Sequence, residues 1–528
     1  MNRFIIIILC FVASVSAYAQ EFREQVFAST DKQCYVVGER LHTSVNVSML
    51  TAEGLIPSPS KVAYVEISDT KQIWAQAMVA LTDGVGWADI PLPVHMHSGC
   101  YQLTVYTRAM RNYDTSDFFT SIIGVVNPSK VSRRDMIEFQ PIDAYEGAVL
   151  TNDITPTIAT SDIVRGGEVM VIMPENGGKF CTMSVERMDV MTNEKGKPHV
   201  SAISTNSTDK SQFFIPEIEG HIIASQPSKN KDLANSRIAM VGMQSRIFDG
   251  QRQKDGSYLY FTSDLYGNLP TLINGYDYDK VAVPMQIQSP YAKVLPLSLP
   301  KLTVYCSDEE LLARNANAQK VNAVSEYLAS DTLSHSVGFM DKEPQYFYDL
   351  DEWTKFNTIR EIIFEFVKGV SRRKVNGVHQ LFTLIPELHV YSTWPALVLL
   401  DGMPVHDIDE ILEYDAHLVK YVQVYTDKFT FGSTACQGVI SFITRKGRLA
   451  NYTLDAGSRL VSYKFPQDHP QYVNYTSSSY GTVYWNPFIT EREVTFTAPT
   501  ETGKYQIVVQ GIDHEGKAYK ASLPFELH

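Results

Sequence analysis

Residues 397–405 read LVLLDGMPV. Four apolar residues, an Asp-Gly pair and a second apolar run describe a buried strand that turns sharply and starts again. A strand that ends on a catalytic aspartate would look the same. Asp-Gly between two apolar runs favours the turn, because both residues tolerate its backbone and the carboxylate can cap its own main chain. Asp401 is therefore read as a turn residue.

Outward from this turn, helix and strand signals alternate. NTIREIIFEFVKG, residues 357–369, predicts a helix: Thr358 and Glu361 stand at capping-box spacing, and Ile359, Ile362, Ile363, Phe366 and Val367 share one face. Gly369 ends it. Strands are expected at HQLFTLIPE (379–387), KYVQVYTD (420–427) and GVISFITRKG (438–447), with a short helix at DIDEIL (407–412). Ser307-Asp308-Glu309-Glu310 is another capping box and predicts a helix to Leu328.

Before residue 300 the pattern is purely β. KVAYVEISD (61–69), QIWAQAMVAL (72–81), GVGWADIPLP (84–93) and GCYQLTVYTRAM (99–110) are short strands punctuated by Gly, Asp and Pro, the signature of a sandwich. EVMVIMP and CTMSVERMD mark a second sandwich, closed by a polar stretch at 206–210. SRIAMVGM, GSYLYFTSD and LPTLINGYD mark a third. After residue 448, RLVSYKFP, GTVYWNPF, REVTFTAP, KYQIVVQGID and KASLPFEL suggest a terminal sandwich.

Bulk properties narrow the class. The chain has 528 residues, enough for roughly three to five domains. A net charge of -13 with both signs well mixed argues against nucleic acid or anionic lipid as a direct partner. MNRFIIIILCFVASVSAYAQ reads as a secretory leader with cleavage before Gln20, and no later run is long enough for a spanning helix. Leu9 before Cys10 is too large for a lipoprotein signal. The remaining cysteines, Cys34, Cys100, Cys181, Cys306 and Cys436, are scattered, so neither a zinc site nor a disulfide-dense scaffold is indicated. Cys34 and Cys100 share one expected domain, and both a disulfide and buried thiols stay open for them.

Two stretches carry family resemblances. Thr30-Asp31-Lys32, Tyr35, Gly38-Glu39, Ser98-Gly99, Tyr101, Leu103, Tyr106-Thr107-Arg108, Met110-Arg111-Asn112, Phe118-Phe119 and Asn127-Pro128 resemble the macroglobulin-type (MG2-like) domain of surface proteins from Bacteroidetes-like bacteria. Phe214-Ile215-Pro216-Glu217, Glu219-Gly220 and Asp255-Gly256 resemble carboxypeptidase-regulatory-like sandwiches, on fewer residues. Pro395, Ala396-Leu397-Val398, Asp401-Gly402, Pro404-Val405, Val419, Val422, Gly432, Ala435, Gly438-Val439-Ile440, Ile443-Thr444 and Lys446-Gly447 resemble the plug domain of TonB-dependent outer-membrane receptors. That resemblance covers residues 348–447 and implies a compact mixed sheet crossed by helices. Phe431 and Cys436-Gln437 depart from the pattern, and the 81 residues after Gly447 read as sandwich strands. A receptor barrel at about ten residues per strand would take several hundred.

The resulting expectation is a multidomain, mainly β chain: several Ig/macroglobulin-like β-sandwiches plus one α/β plug-like domain. The expected boundaries are a signal peptide at 1–19, a macroglobulin-like sandwich at 20–128, and further sandwiches at 129–210 and 211–300. A helical approach with the plug-like domain follows at 301–447, and a C-terminal sandwich at 448–528.

No catalytic, cofactor or metal residue is assigned. Asp407, Asp409, Glu410 and Glu413 could gather a cation, but their helical spacing favours a solvated face. His95 and His97 could share a strand face as metal ligands, yet no third ligand lies near in sequence. Glu186, His379, His389 and His406 offer no pattern that selects among them. GxSxG, HExxH, Walker-type and GxGxxG motifs are absent, as is the Cys-x-Glu-Gln thioester of macroglobulin traps. Tyr472, Tyr475, Tyr480, Tyr484 and Trp485 could present a binding surface, although packing inside a sandwich is preferred.

The expected function is non-catalytic protein-protein binding by an exported chain of the periplasm or outer membrane. The partner would be an envelope protein, an outer-membrane barrel among the candidates. No cofactor and no nucleic acid are expected, and a small-molecule ligand is left unknown. The alternative is a glycan-binding or enzymatic module with a site in an inter-domain cleft.

Overall fold

Alternation builds the first sandwich. In the Arg40–Thr51 strand Leu41, Thr43, Val45 and Val47 all turn inward and lose their solvent. This strand pairs with Glu24–Thr30, Gly54–Pro57 and Val85–Pro91. The facing sheet runs in the order Cys34–Val36, Phe119–Val126, Gly99–Thr107, Val62–Ser68, Ile73–Ala80. Tyr35, Val65, Ile67, Leu103, Val105 and Ile123 meet Leu41 and Val45 between the sheets. The computed structural model describes residues 23–51, 54–129, 137–140, 154–175, 180–188, 191–193, 213–228, 231–243, 246–279, 281–306, 339, 342–431, 434–455, 457–470, 473–474, 481–513 and 515–528. The expected leader, the polar stretch at 206–210 and the helix expected after Ser307 lie outside them.

Two expected boundaries are corrected by the strand pairing. Phe180–Arg187 lies between Thr482–Asn486 and Gly503–Ile512, and Glu168–Ile172 pairs with Glu493–Thr497. Strands from the segments expected as separate sandwiches at 129–210 and 448–528 therefore form one sandwich. Its core joins Val169, Val171, Met183 and Val185 to Val483, Phe496, Ile507 and Val509. The physical reason is area: the earlier strands alone would leave an apolar face and open edges uncovered. Likewise Arg459–Lys464 pairs with Asn268–Tyr276 and completes the third sandwich, instead of opening the last one. Ile223, Ile238, Met240, Tyr260 and Ile273 form that third core together with Phe465.

The chain is thus nested: the third sandwich interrupts the second, and an α/β domain interrupts the third. One compact unit holds residues 1–218, 291–327 and 466–528, and the other holds 219–290 and 328–465. In the second unit a mixed sheet runs in the order Tyr346–Asp349, Val419–Phe431, Thr434–Thr444, Leu397–Leu400, Met403–Pro404. Leu397–Leu400 is parallel to Thr434–Thr444 and the other pairs are antiparallel. The helices Ile359–Glu365 and Ile408–Leu412 supply Ile359, Ile362, Ile363, Ile411 and Leu412 to its core. The fold is mainly β and multidomain, with several sandwiches and one α/β domain.

Candidate binding surface

The Asp401-Gly402 pair joins the last two strands of the α/β sheet. Both residues have positive φ, 48° and 82°, as a two-residue hairpin turn between Leu397–Leu400 and Met403–Pro404 requires. Asp401 is 3 % exposed. Its Oδ1 accepts from the Thr444 amide at 2.7 Å, and its Oδ2 accepts from the Thr444 hydroxyl at 2.6 Å and the Leu449 amide at 2.8 Å. The carboxylate ties the end of a neighbouring strand rather than capping its own backbone, as the sequence had suggested. A Cβ on Gly402 would stand 2.6 Å from the Met243 carbonyl oxygen.

The other residues singled out from the sequence are dispersed. Asp407 caps the Ile408–Leu412 helix, accepting from the amides of Asp409 and Glu410 at 2.9 and 3.2 Å. Asp409 pairs with the His379 Nδ1, Glu413 with Arg360, and Glu410 accepts from Tyr452. His379 and the acid cluster thus meet, but as separate pairs with different partners, and no metal-binding group occurs among the described residues. His95 and His97 lie in the turn after Val85–Pro91, not on a strand, and both flank the Trp74 ring, at 5.4 and 5.9 Å. His389 caps a 3-10 turn with a φ of 53°, and His406 lies over Tyr276.

Glu186 is held by Gln506 in the second sandwich, with its carboxyl raised by burial. Tyr484 and Trp485 are buried in that sandwich, while Tyr472, Tyr475 and Tyr480 lie outside the described residues. Cys34 and Cys100 oppose Gly124 from its two sides, which puts them two strands, or about 9.5 Å, apart. No disulfide joins them. Burial pushes the Cys100 thiol up to about 11.

Two features were read from the sequence only in part or not at all. The first is a buried polar face on the first sandwich. Val62–Ser68 sends Ala63, Val65 and Ile67 into the core, and Tyr64, Glu66 and Ser68 to the opposite face, where all three are also buried. Segments of the same unit cover that face. The Tyr64 hydroxyl donates to both Glu217 oxygens at 2.8 Å, and the Tyr106 hydroxyl donates to Glu66. The Lys293 amide donates to Glu66 at 3.0 Å, and the Ala292 amide donates to the Tyr106 hydroxyl at 2.7 Å. Burial holds the Glu66 carboxyl above the ordinary glutamate range, against the opposing pull of Tyr106, Lys293 and Gln76. Glu66 Oε1 and both Glu217 oxygens bind between the sheet and its cover, while Glu66 Oε2 accepts from Gln76 of the neighbouring strand at 3.5 Å. A groove of about 320 Å³ does exist elsewhere in this unit, lined by Leu55, Ile56, Pro57, Phe180 and Phe488 with Asp83 and Asp513.

The second feature is a small sheet of the α/β domain: Val370–Val375, Val378–Ile385 and Val390–Tyr391. Leu381 is buried in the domain core, and Phe382 is buried on the opposite face beneath Arg373, which anchors the central strand. Around it Leu388, Val390, Tyr391 and Trp394 are exposed at 65, 51, 38 and 53 %. The Lys428 ammonium lies 5.4 Å from the Trp394 ring. Large apolar side chains left open around a short edge strand make a candidate contact surface, because their burial by another molecule would remove apolar area from water. The central strand was expected at 379–387, but its charged partner was not, although Asn376-Gly377, the strongest short hairpin signal, joins the two with φ of 51° and 87°.

Comparison with known proteins adds little. No protein-family model and no curated protein matches the chain. Among solved structures, the native conformation of E. coli alpha-2-macroglobulin aligns over 97% of this chain and 22% of its own, at 9% identity and a TM-score of 0.17. A beta-glucosidase from Listeria innocua in complex with glucose aligns over 20% of this chain and 16% of its own, at 15% identity and a TM-score of 0.15. A CARDB domain from Pyrococcus furiosus in complex with di-metal ions aligns over 20% of this chain and 90% of its own, at 16% identity and a TM-score of 0.15. The chain spans about a fifth of the macroglobulin and a sixth of the glucosidase. At these scores none of the three bears on function.

Proposed function

We propose that the chain is an exported, non-catalytic protein of the cell envelope that works by binding another protein through its α/β domain. The observation that carries this reading is the exposed set Leu388, Val390, Tyr391 and Trp394 around a short edge strand. The leader-like residues 1–19 support export, and the plug-like pattern of 348–447 supports an outer-membrane or periplasmic partner, a barrel transporter foremost. The macroglobulin-like pattern of the first sandwich fits a spacer role. Its Asp31, Lys32, Tyr35 and Glu39 are buried in mutual bonds, Tyr35 to Asp31 at 2.7 Å and Lys32 to Glu39 at 3.0 Å.

Crosslinking in intact envelopes, followed by peptide identification, tests the proposal. Partner peptides should join residues around 388–394 and vanish in a Tyr391→Ser/Trp394→Ser double variant. Recovery of the native chain with no envelope adduct would defeat it. A glycan-binding or enzymatic module is the second reading, favoured by the groove beside Phe180 and Phe488. A thermal shift with an oligosaccharide panel, abolished by Phe488→Ala, would favour that second reading.

A further inference from the structure

The opposite edge of the same small sheet has a different character. Val370–Val375 reads VSRRKV, and its Arg372, Arg373, Lys374 and Val375 are exposed. Among the described residues this strand pairs with Val378–Ile385 alone. Its hydrogen-bonding register follows from two fixed points. The Asn376-Gly377 turn closes on the Val375–Val378 pair, and the Leu384 amide donates to the Gly369 carbonyl at 2.8 Å. Bonded and non-bonded pairs alternate along an antiparallel ladder. Ser371, Arg373 and Val375 therefore direct their main-chain groups to the neighbouring strand, while Arg372 and Lys374 direct theirs outward.

The side chains add charge to this open ladder. Arg373 is drawn back over its own sheet, with its guanidinium 4.8 Å from the Phe382 ring and donating to the Ser392 carbonyl at 3.4 Å. Among the described residues no ion pair involves Arg372 or Lys374. Three consecutive cations on one edge are a local exception in a chain of net charge -13. Two copies of this edge would repel each other, which excludes self-pairing and favours an anionic strand. At the tip, Val375 and Val378 are 37 and 50 % exposed and offer apolar contact beside the charges.

We propose that the outward edge of Val370–Val375 receives an extended acidic segment of a partner protein by strand addition. The outward amides and carbonyls of Arg372 and Lys374 pair with its backbone. Their side chains share one face of the strand and read alternate carboxylates. This inference rests on the binding function proposed above and specifies the partner's chemistry at the other edge of the same sheet.

The test uses the full chain and a capped peptide of alternating glutamate and valine, with binding read by fluorescence anisotropy. Binding is expected, and it should weaken several-fold between roughly 0.05 and 0.5 M salt. The matching lysine-valine peptide and a backbone N-methylated glutamate-valine peptide should not bind. Lys374→Pro removes one outward amide while leaving the hairpin bonds intact, and should lower affinity about tenfold or more. Lys374→Ala should cost only a few-fold. If Lys374→Pro disturbs the hairpin, the N-methylated peptide still isolates the backbone contribution. Equal binding of the N-methylated peptide, or no binding of the glutamate-valine peptide, overturns the inference. Envelope crosslinks at residues 388–394 that persist in an Arg372→Glu/Lys374→Glu variant would confine that failure to this edge.

Discussion

In the first sandwich, the sheet face carrying Tyr64, Glu66 and Tyr106 is roofed by segments of the same unit. In the α/β domain, the Val390–Tyr391 edge and its neighbours Leu388 and Trp394 stand in solvent. Both belong to β-sheets whose strands here run antiparallel to their neighbours. What separates them is where their polar and apolar groups find partners. The first face closes on itself through carboxylates, tyrosine hydroxyls and backbone amides. The second leaves apolar area and main-chain groups for something else. Substitutions should therefore act on stability at the first face and on binding at the second.

The largest effect is expected at Glu66. Glu66→Ala leaves the Tyr106 hydroxyl and the Lys293 amide buried without their acceptor, and should destabilise the unit by about 3 kcal/mol in denaturant unfolding. Tyr64→Phe removes the donor that serves both Glu217 oxygens, at a cost of about 2 kcal/mol in the same measurement. Equal stability of both variants to the native chain would erase the contrast between the two faces. Gly402→Ala should also cost about 2 kcal/mol, because φ is positive there and the added Cβ would press on the Met243 carbonyl.

A smaller, pH-dependent effect sharpens the same comparison. The Glu66 carboxyl is raised in the folded state, so protonation favours folding. Its stabilising contribution is fully present below the unfolded glutamate value, about pH 4.3, and is lost as pH rises through the raised native value. The Tm of the native chain relative to Glu66→Gln should therefore rise as pH falls from about 7 toward 4.5. At the open face, Val390→Ser and Trp394→Ser should move stability by about 0.5 kcal/mol or less, while reducing partner capture.

How much of this was legible depended on whether the signal was local. The Thr358–Glu361 capping box and the apolar face of Ile359, Ile362 and Ile363 lie within one turn of each other, and the helix forms there. It stops at Glu365, before Phe366, Val367 and Gly369, because Phe366 already leaves the helical backbone. The second sandwich was not legible, since Phe180–Arg187 and Gly503–Ile512 find each other across some three hundred intervening residues. Neither segment encodes its partner. The Val370–Val375 strand escaped notice for another reason. Arg372, Arg373 and Lys374 give no apolar alternation, because after Val370 the strand contributes nothing to the core. Only Asn376-Gly377 marked it.

The candidate residues divide on the same line. Asp401 was read correctly as a turn residue from its dipeptide alone, but its bonds to Thr444 and Leu449 depend on a strand brought alongside by the sheet. The burial of Glu66 was not foreseen. Its strand, VAYVEIS, is apolar enough to suggest cover on both faces, yet the covering segments lie more than one hundred residues away.

The central claim is that the α/β domain, not the sandwiches, meets the partner. A photoreactive residue introduced at Trp394, and separately at the somewhat more exposed Val164 of the second sandwich, tests this in intact cells. A discrete crosslinked species from position 394, with none from 164, is the predicted result. A species from 164 with none from 394 would contradict it.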